Sequence, residues 1–185
     1  MKTDQLLTGD LIGVAGVESD WGTAIMVSSK RQVYTIYDHV GMLENRKGEV
    51  FVWNSNPHDG VIAEPLQVFI NREEVQIEKN FDLFRLNVPI NFNGVLEKMT
   101  KLQGLPYNFS FLQSDKKYYC SDFVSRTFPE GIFPLEGMHF AGDFWEEYYA
   151  KQGIEKIPEG QPGINPNDMF AQSNVDFIND LRSII

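Results

Sequence analysis

The sequence predicts an α+β fold in which an antiparallel sheet packs against a helix that begins at a cysteine. Residues 33–43 and 49–54 are rich in β-branched and aromatic side chains, and a polar stretch containing Gly48 separates them. This pattern is typical of an antiparallel hairpin. Cys120, the only cysteine of the chain, opens an amphipathic segment that ends before Pro129, as expected of a short helix.

The other elements follow from local patterns of apolar and turn-forming residues. Short apolar or alternating runs predict further strands, at residues 11–14, 61–63 and 81–86. Helical spacing of apolar residues and capping side chains predict helices, at residues 19–27, 91–102, 142–152 and 174–185, and a helical turn at 64–70. Proline and glycine punctuate residues 158–167, for which we expect a loop.

Length and composition indicate one domain with an ample core. The 185 residues, 42% of them apolar, can bury enough surface to fold without a disulfide or a metal ion. We expect a single domain over residues 1–185, with a core from about 6–128 and an extension, 129–185, that packs on it. A single cysteine argues against a disulfide-built secreted scaffold and is compatible with a reducing compartment.

The charge and the N-terminal residues bear on partners and location. The net charge of −10 disfavours nucleic acid, because phosphates reward clusters of lysine and arginine. No apolar segment of the length of a signal peptide or a membrane span is present in the sequence. We therefore expect a cytoplasmic protein with no integral membrane segment, acting on a small molecule, a peptide or an acyl lipid. The alternative is an exported protein from which a leader has been removed.

Cys120 is the first candidate for chemistry. A lone thiol cannot form an intrachain disulfide or a multi-cysteine zinc site, so it is a buried apolar residue, a surface residue or a nucleophile. The start of a helix favours a thiolate, because unpaired backbone N–H groups and the helix dipole stabilise negative charge there. This placement favours a nucleophilic role for Cys120.

A cysteine nucleophile needs a base, and the chain has three histidines. His39 lies in a predicted strand, whereas His58 lies in a polar loop and His139 in an irregular region. Catalysis needs a rigidly held base, so His39 is the best candidate; the alternative is a strand histidine that only packs.

Two asparagines are candidates to orient His39. Strand alternation places Val50, Val52 and Asn54 on one face of the hairpin, and His39 falls roughly opposite the end of that strand. The amide oxygen of Asn54 would accept a hydrogen bond from one ring nitrogen and leave the other for the thiol. Asn56 takes this place if the register differs by one step, and turn chemistry explains either asparagine equally well.

Four segments together resemble the YiiX/YebB-like branch of the NlpC-type papain-fold hydrolases. They are Gly9-Asp10-Leu11-Ile12, Asp38-His39-Val40-Gly41-Met42, Pro106-Tyr107-Asn108-Phe109 and Tyr118-Tyr119-Cys120-Ser121-Asp122-Phe123-Val124. The resemblance covers about residues 8–128, and residues 162–168 are similar to the family's C-terminal end. It implies a circularly permuted papain-like fold, in which the histidine strand precedes the cysteine helix.

The resemblance also implies roles for particular residues. Cys120 would be the nucleophile, His39 the base and Asn54 the third member, at a position where many relatives carry glutamate. Asparagine orients an imidazole but does not stabilise its positive charge as a carboxylate does. The backbone N–H of Cys120, joined by the Tyr119 hydroxyl or a group near Asp10, would bind the oxyanion.

The implied activity is that of a cysteine hydrolase that acts on an amide, an ester or a thioester through an acyl-enzyme, without a metal or a cofactor. Two alternatives remain open from the sequence. The chain would be an acyltransferase if an acceptor other than water took the acyl group, or a binding module if the asparagine marks impaired catalysis. Whether the region after Pro129 covers the site as a lid is also open.

Overall fold

The computed structural model describes residues 5–16, 20–29, 37–73, 79–140 and 142–184. The strands in this part of the chain are β1 (Leu11–Ala15), β2 (Tyr37–Arg46), β3 (Glu49–Asn56), β4 (Gly60–Pro65), β5 (Asn80–Leu86), β6 (Glu136–Gly137), β7 (Pro162–Gly163) and β8 (Val175–Asp180). The helices are α1 (Asp20–Val27), α2 (Leu66–Glu73), α3 (Phe92–Leu102), α4 (Cys120–Thr127), α5 (Asp143–Lys151) and α6 (Pro166–Phe170), and a 3-10 helix follows β8 (Leu181–Ser183).

Six strands form one antiparallel sheet in the order β4-β3-β2-β1-β5-β8. The predicted hairpin is confirmed as β2 and β3, and its turn is shorter than expected because β2 continues to Arg46. Lys47 and Gly48 both have positive φ, 57° and 96°, as in the tight two-residue turns whose twist matches that of the strands. The predicted start of the first strand, residues 33–36, lies outside the described residues.

The central strands of the sheet are buried on both faces. Met42, Trp53 and Phe123 belong to a core on the face covered by α4, while Leu43 and Phe69 belong to a second core on the face covered by α2. Neighbouring residues of a strand point to opposite faces. The hairpin therefore carries apolar side chains on both faces, which explains its nearly continuous apolar sequence.

The prediction of a terminal helix over 174–185 is wrong. Residues 175–180 form β8, which pairs with β5 from Leu86 opposite Val175 to Asp82 opposite Asp180. This pairing satisfies backbone groups of β5 that would otherwise lie at the sheet edge, and it outweighs helical propensity. The main sheet thus includes a strand from the predicted extension. The loop predicted over 158–167 likewise contains β7 and the first turn of α6.

Candidate active site

The site lies where β2 and β3 diverge. The ladder between these strands runs from the pair Met42–Trp53 to the turn, while the earlier part of β2 pairs with β1 and places Val14 opposite His39. The chain leading into α4 is held at the end of β3, where the Ser55 hydroxyl donates to the Tyr118 carbonyl over 2.7 Å. The start of α4 is thereby brought to the open end of the hairpin.

Cys120 is the first residue of α4 and is buried, with 5% of its surface exposed. Tyr119 before it is extended, and the first hydrogen bond of the helix runs from the Phe123 N–H to the Tyr119 carbonyl. The N–H groups of the preceding helical residues have no acceptor within a helix, as at any helix start. They surround the thiol with positive partial charge.

Helix α4 packs against β2, and Cys120 lies close enough to His39 to act on the pKa of its ring. Burial by itself lowers the pKa of His39, but a hydrogen bond and an electrostatic attraction to Cys120, with a smaller contribution from Glu73, more than offset this effect. The pKa of His39 is raised from 6.5 to about 9. The ring beside the sulfur therefore carries a proton at neutral pH.

Asn54 faces the other side of the ring. Its Oδ1 lies 3.4 Å from Nε2 of His39, and its side chain is fully buried. Asn56 holds the turn into β4, where its Oδ1 accepts the N–H groups of His58 and Asp59, both over 2.9 Å, and its Nδ2 donates to Asn54 Oδ1 over 3.5 Å. The contact at Nε2 leaves Nδ1 as the ring nitrogen for the thiol.

The two residues expected near an oxyanion are placed differently. The Tyr119 hydroxyl accepts the Ile164 N–H over 3.2 Å and lies 3.7 Å from the Met138 sulfur, so it joins α4 to the segments around β6 and β7. Asp10 is not brought to the site. Its carboxylate binds Arg85 over 2.6 Å at the far end of β1, four residues from Val14, or about 13 Å along a strand.

A cavity opens beside Cys120 and is lined mainly by aromatic and other apolar side chains. Its walls come from α1, from the segment before α4 and from the region after Pro129, and include Trp21, Tyr107, Phe111, Tyr119, Met138 and Trp145. The region after Pro129 therefore forms a wall of the site.

Tyr107 is a site residue that the sequence reasoning did not assign. Burial and the negative charge of Cys120 both raise the pKa of its phenol, which keeps the hydroxyl protonated and able to donate a hydrogen bond. Its position in Pro106-Tyr107-Asn108, a segment already noted for its resemblance, was the available signal.

The described residues were searched for metal-binding clusters and for membrane-spanning helices. Within them, no group of three or more histidine, cysteine, aspartate or glutamate side chains is arranged to hold a metal ion. No helix in the same part of the chain combines the length and the apolar character needed to cross a bilayer.

A histidine strand that precedes a cysteine at a helix start defines a papain-like protein with permuted chain order. Residues 18–179 match the family described as permuted papain-like amidase enzymes, YaeF/YiiX, family C92, and the chain belongs to this family. The expected resemblance and fold are thus confirmed.

Among solved structures, the chain is similar to metalloprotein yiiX from Escherichia coli O157:H7. The two share 19% sequence identity with a TM-score of 0.76, over 95% of this chain and 98% of the other. At this identity the likeness concerns the fold. A comparison with the curated proteins found no match.

Proposed function

We propose that the protein is a thiol-dependent amidase in which Cys120 is the nucleophile, His39 the acid and base, and Asn54 the residue that orients His39. The observation that carries the proposal is the contact of Cys120 with a histidine whose far nitrogen faces an amide oxygen. Nucleophile, base and orienting group in this order are the parts that covalent acyl transfer requires.

The steps follow from these positions. The Cys120 thiolate attacks the carbonyl carbon and forms a carbon–sulfur bond, while N–H groups at the start of α4 stabilise the oxyanion. The His39 imidazolium gives its proton to the leaving nitrogen as the carbon–nitrogen bond breaks. Water then adds to the thioester and passes a proton to His39, and breaking of the carbon–sulfur bond releases the acid and restores the ion pair.

The cavity supports an apolar group on the substrate. Trp21, Phe111 and Trp145 are in mutual ring contact, with centroids 5.8 to 6.0 Å apart, and all three line the cavity that contains Cys120. An apolar acyl chain or side chain would bury its surface against these rings. The proposal therefore favours amides with an apolar acyl part, from peptides or from acyl lipids.

Intact-mass spectrometry tests the proposal. The protein is incubated with peptide amides, acyl esters and N-acyl amino acids, and quenched at short times. We expect a mass increase equal to the acyl group on wild type and none on Cys120→Ala. The location of the adduct on Cys120 is then checked by peptide mapping.

The outcomes separate the alternatives. Release of the free acid identifies a hydrolase, whereas transfer to an added amine or alcohol identifies an acyltransferase. Absence of any adduct, together with alkylation of Cys120 no faster at pH 6 to 7 than that of a thiol with pKa about 8.5, would leave a binding module and would refute the enzyme.

A further inference from the structure

Behind the pair formed by His39 and Asn54 lies a carboxylate that the sequence reasoning did not assign. Glu64 is on β4, where Asn54 pairs with Ile62. Residues two apart on a strand share a face, so Glu64 is the diagonal neighbour of Asn54 on the same side of the sheet. The Asn54 Nδ2 group donates to Glu64 Oε1 over 2.9 Å, and Glu64 is 7% exposed.

The charge of Glu64 is balanced by Arg72 at the end of α2. The Nη1 group of Arg72 forms an ion pair with Glu64, and Nη2 lies 3.4 Å from Asn54 Oδ1 and 3.2 Å from Glu73 Oε1. Since α2 begins directly after β4, one stretch of chain supplies both charges. A buried carboxylate that is paired and hydrogen-bonded in this way is held in a single geometry.

The hydrogen bond from Asn54 to Glu64 fixes which way the Asn54 amide points, together with Arg72 Nη2 and Asn56 Nδ2, which donate to Asn54 Oδ1 over 3.4 and 3.5 Å. A carboxylate only accepts hydrogen bonds, so the NH₂ group of Asn54 must face Glu64 and the oxygen must face His39. The reversed amide would set two acceptors against each other at Glu64 and two donors against each other at a protonated His39. Glu64 thus helps to select the orientation in which Asn54 Oδ1 accepts from Nε2–H of His39 and Nδ1 of the ring is left for the thiol.

We propose that Glu64 is a positioning residue for this site. By binding the Asn54 amide it holds His39 in its working orientation. Its carboxylate acts on His39 through Asn54, which has no carboxylate of its own. The inference rests on the proposed function. A merely structural ion pair would leave the pKa of His39 unchanged when Glu64 is replaced, whereas a positioning residue would change it.

The titratable and charged groups that act on His39 include Cys120 of α4, Glu73 and Arg72 of α2, and the adjacent Asp38 of β2. The positive charge of Arg72 lowers the pKa of His39, and Glu64 is an ion-pair partner that compensates it. Replacing Glu64 by a neutral residue therefore leaves more of the Arg72 charge acting on the ring. The pKa of His39 should fall.

Glu64→Gln keeps the shape and removes the charge, and either end of its amide can face Asn54. We expect acylation and iodoacetamide alkylation of Cys120 at pH 6 to slow by about 10- to 100-fold, the loss expected when a hydrogen bond to a charged group is removed. KM should change little, and the His39 ring resonances should titrate at lower pH. Glu44→Gln is the control, because Glu44 also accepts from an arginine and a tryptophan, over 2.7 Å each, but at the turn end of the hairpin.

The decisive test exchanges the amide of Asn54 and the carboxylate of Glu64. Asn54→Asp alone sets two carboxylates against each other and should be slow. The double variant Asn54→Asp with Glu64→Gln restores one acid and one amide with the acid beside His39. We expect it to recover to within about threefold of wild type, a coupling that a double-mutant cycle measures.

The inference is overturned if Glu64→Gln melts at a lower temperature while the alkylation rate, its pH profile and the His39 titration match wild type, or if the exchange brings no recovery. Should Glu64→Gln not fold, Glu64→Asp retracts the carboxylate from Asn54 and is measured in the same way. Alkylation and titration need no substrate. A wild type that forms no acyl adduct therefore counts against the proposed function and leaves the role of Glu64 to be decided by these two measurements.

Discussion

Two different kinds of side chain surround His39, aromatic ones on one side and polar or charged ones on the other. On the cavity side, Cys120 lies among aromatic rings contributed by segments far apart in the chain. On the ionic side, Asn54, Glu64 and Arg72 come from two consecutive strands and the helix that follows them, and they are joined by directional hydrogen bonds and an ion pair. Apolar contacts are non-directional, whereas hydrogen bonds set angles. Under the proposed function, the cavity side would determine which substrate binds and the ionic side would determine how the ring is held.

Cys120→Ala should have the largest effect, because it removes the reacting atom on the cavity side without touching the ionic side. We expect the rate of amide cleavage to fall by at least about a thousandfold, with the folded state retained by circular dichroism. Product formation under saturating substrate measures the change. Cleavage that survives in this variant would show that the chemistry lies elsewhere.

His39→Gln tests the residue that joins the two sides. Loss of a general acid and base costs about 10²- to 10⁴-fold, so we expect slow acylation with Cys120 still present and alkylatable at high pH. Rapid-quench mass spectrometry measures the acylation step. His58→Gln is the matched control, since His58 lies in the turn after β3; equal losses in both variants would contradict the assignment of His39.

The titration of His39 sharpens the contrast, because the cavity side raises its pKa. In wild type the ring should lose its proton near pH 9, as the pKa of His39 is about 9. In Cys120→Ala the hydrogen bond and the charge of the thiolate are gone and the effect of burial remains, so the pKa should fall below the usual 6.5. NMR of the histidine ring protons follows both titrations, and an unchanged midpoint would refute the ion pair.

Trp21→Ala should have the smallest effect and should act on binding. It removes a ring that contacts Phe111 and Trp145 in the cavity wall, so KM for substrates with apolar acyl groups should rise about tenfold while kcat stays near wild type. Phe177→Ala, at an exposed position of β8, serves as the control. A fall in kcat with constant KM would mean that the ring affects the chemistry instead.

The sequence was informative where function depends on local backbone structure. Cys120 begins a helix because an extended, turn-rich stretch precedes an amphipathic one, and His39 lies on a strand because its neighbours are β-branched and aromatic. Both positions are as expected, as is the antiparallel hairpin. The wrong terminal helix shows the limit of this reasoning, since residues 175–180 become a strand only because β5 offers them a partner.

By itself, the sequence determined that one thiol stands at a helix start, that a histidine strand precedes it, and that an asparagine follows on the paired strand. Only the tertiary structure placed Asn54 beside His39 and Glu64 behind the Asn54 amide, and built the cavity wall from the region after Pro129. The physical reason is that strand and helix periodicity is written in neighbouring residues. Which side chains meet across the sheet depends on register and packing between distant parts of the chain.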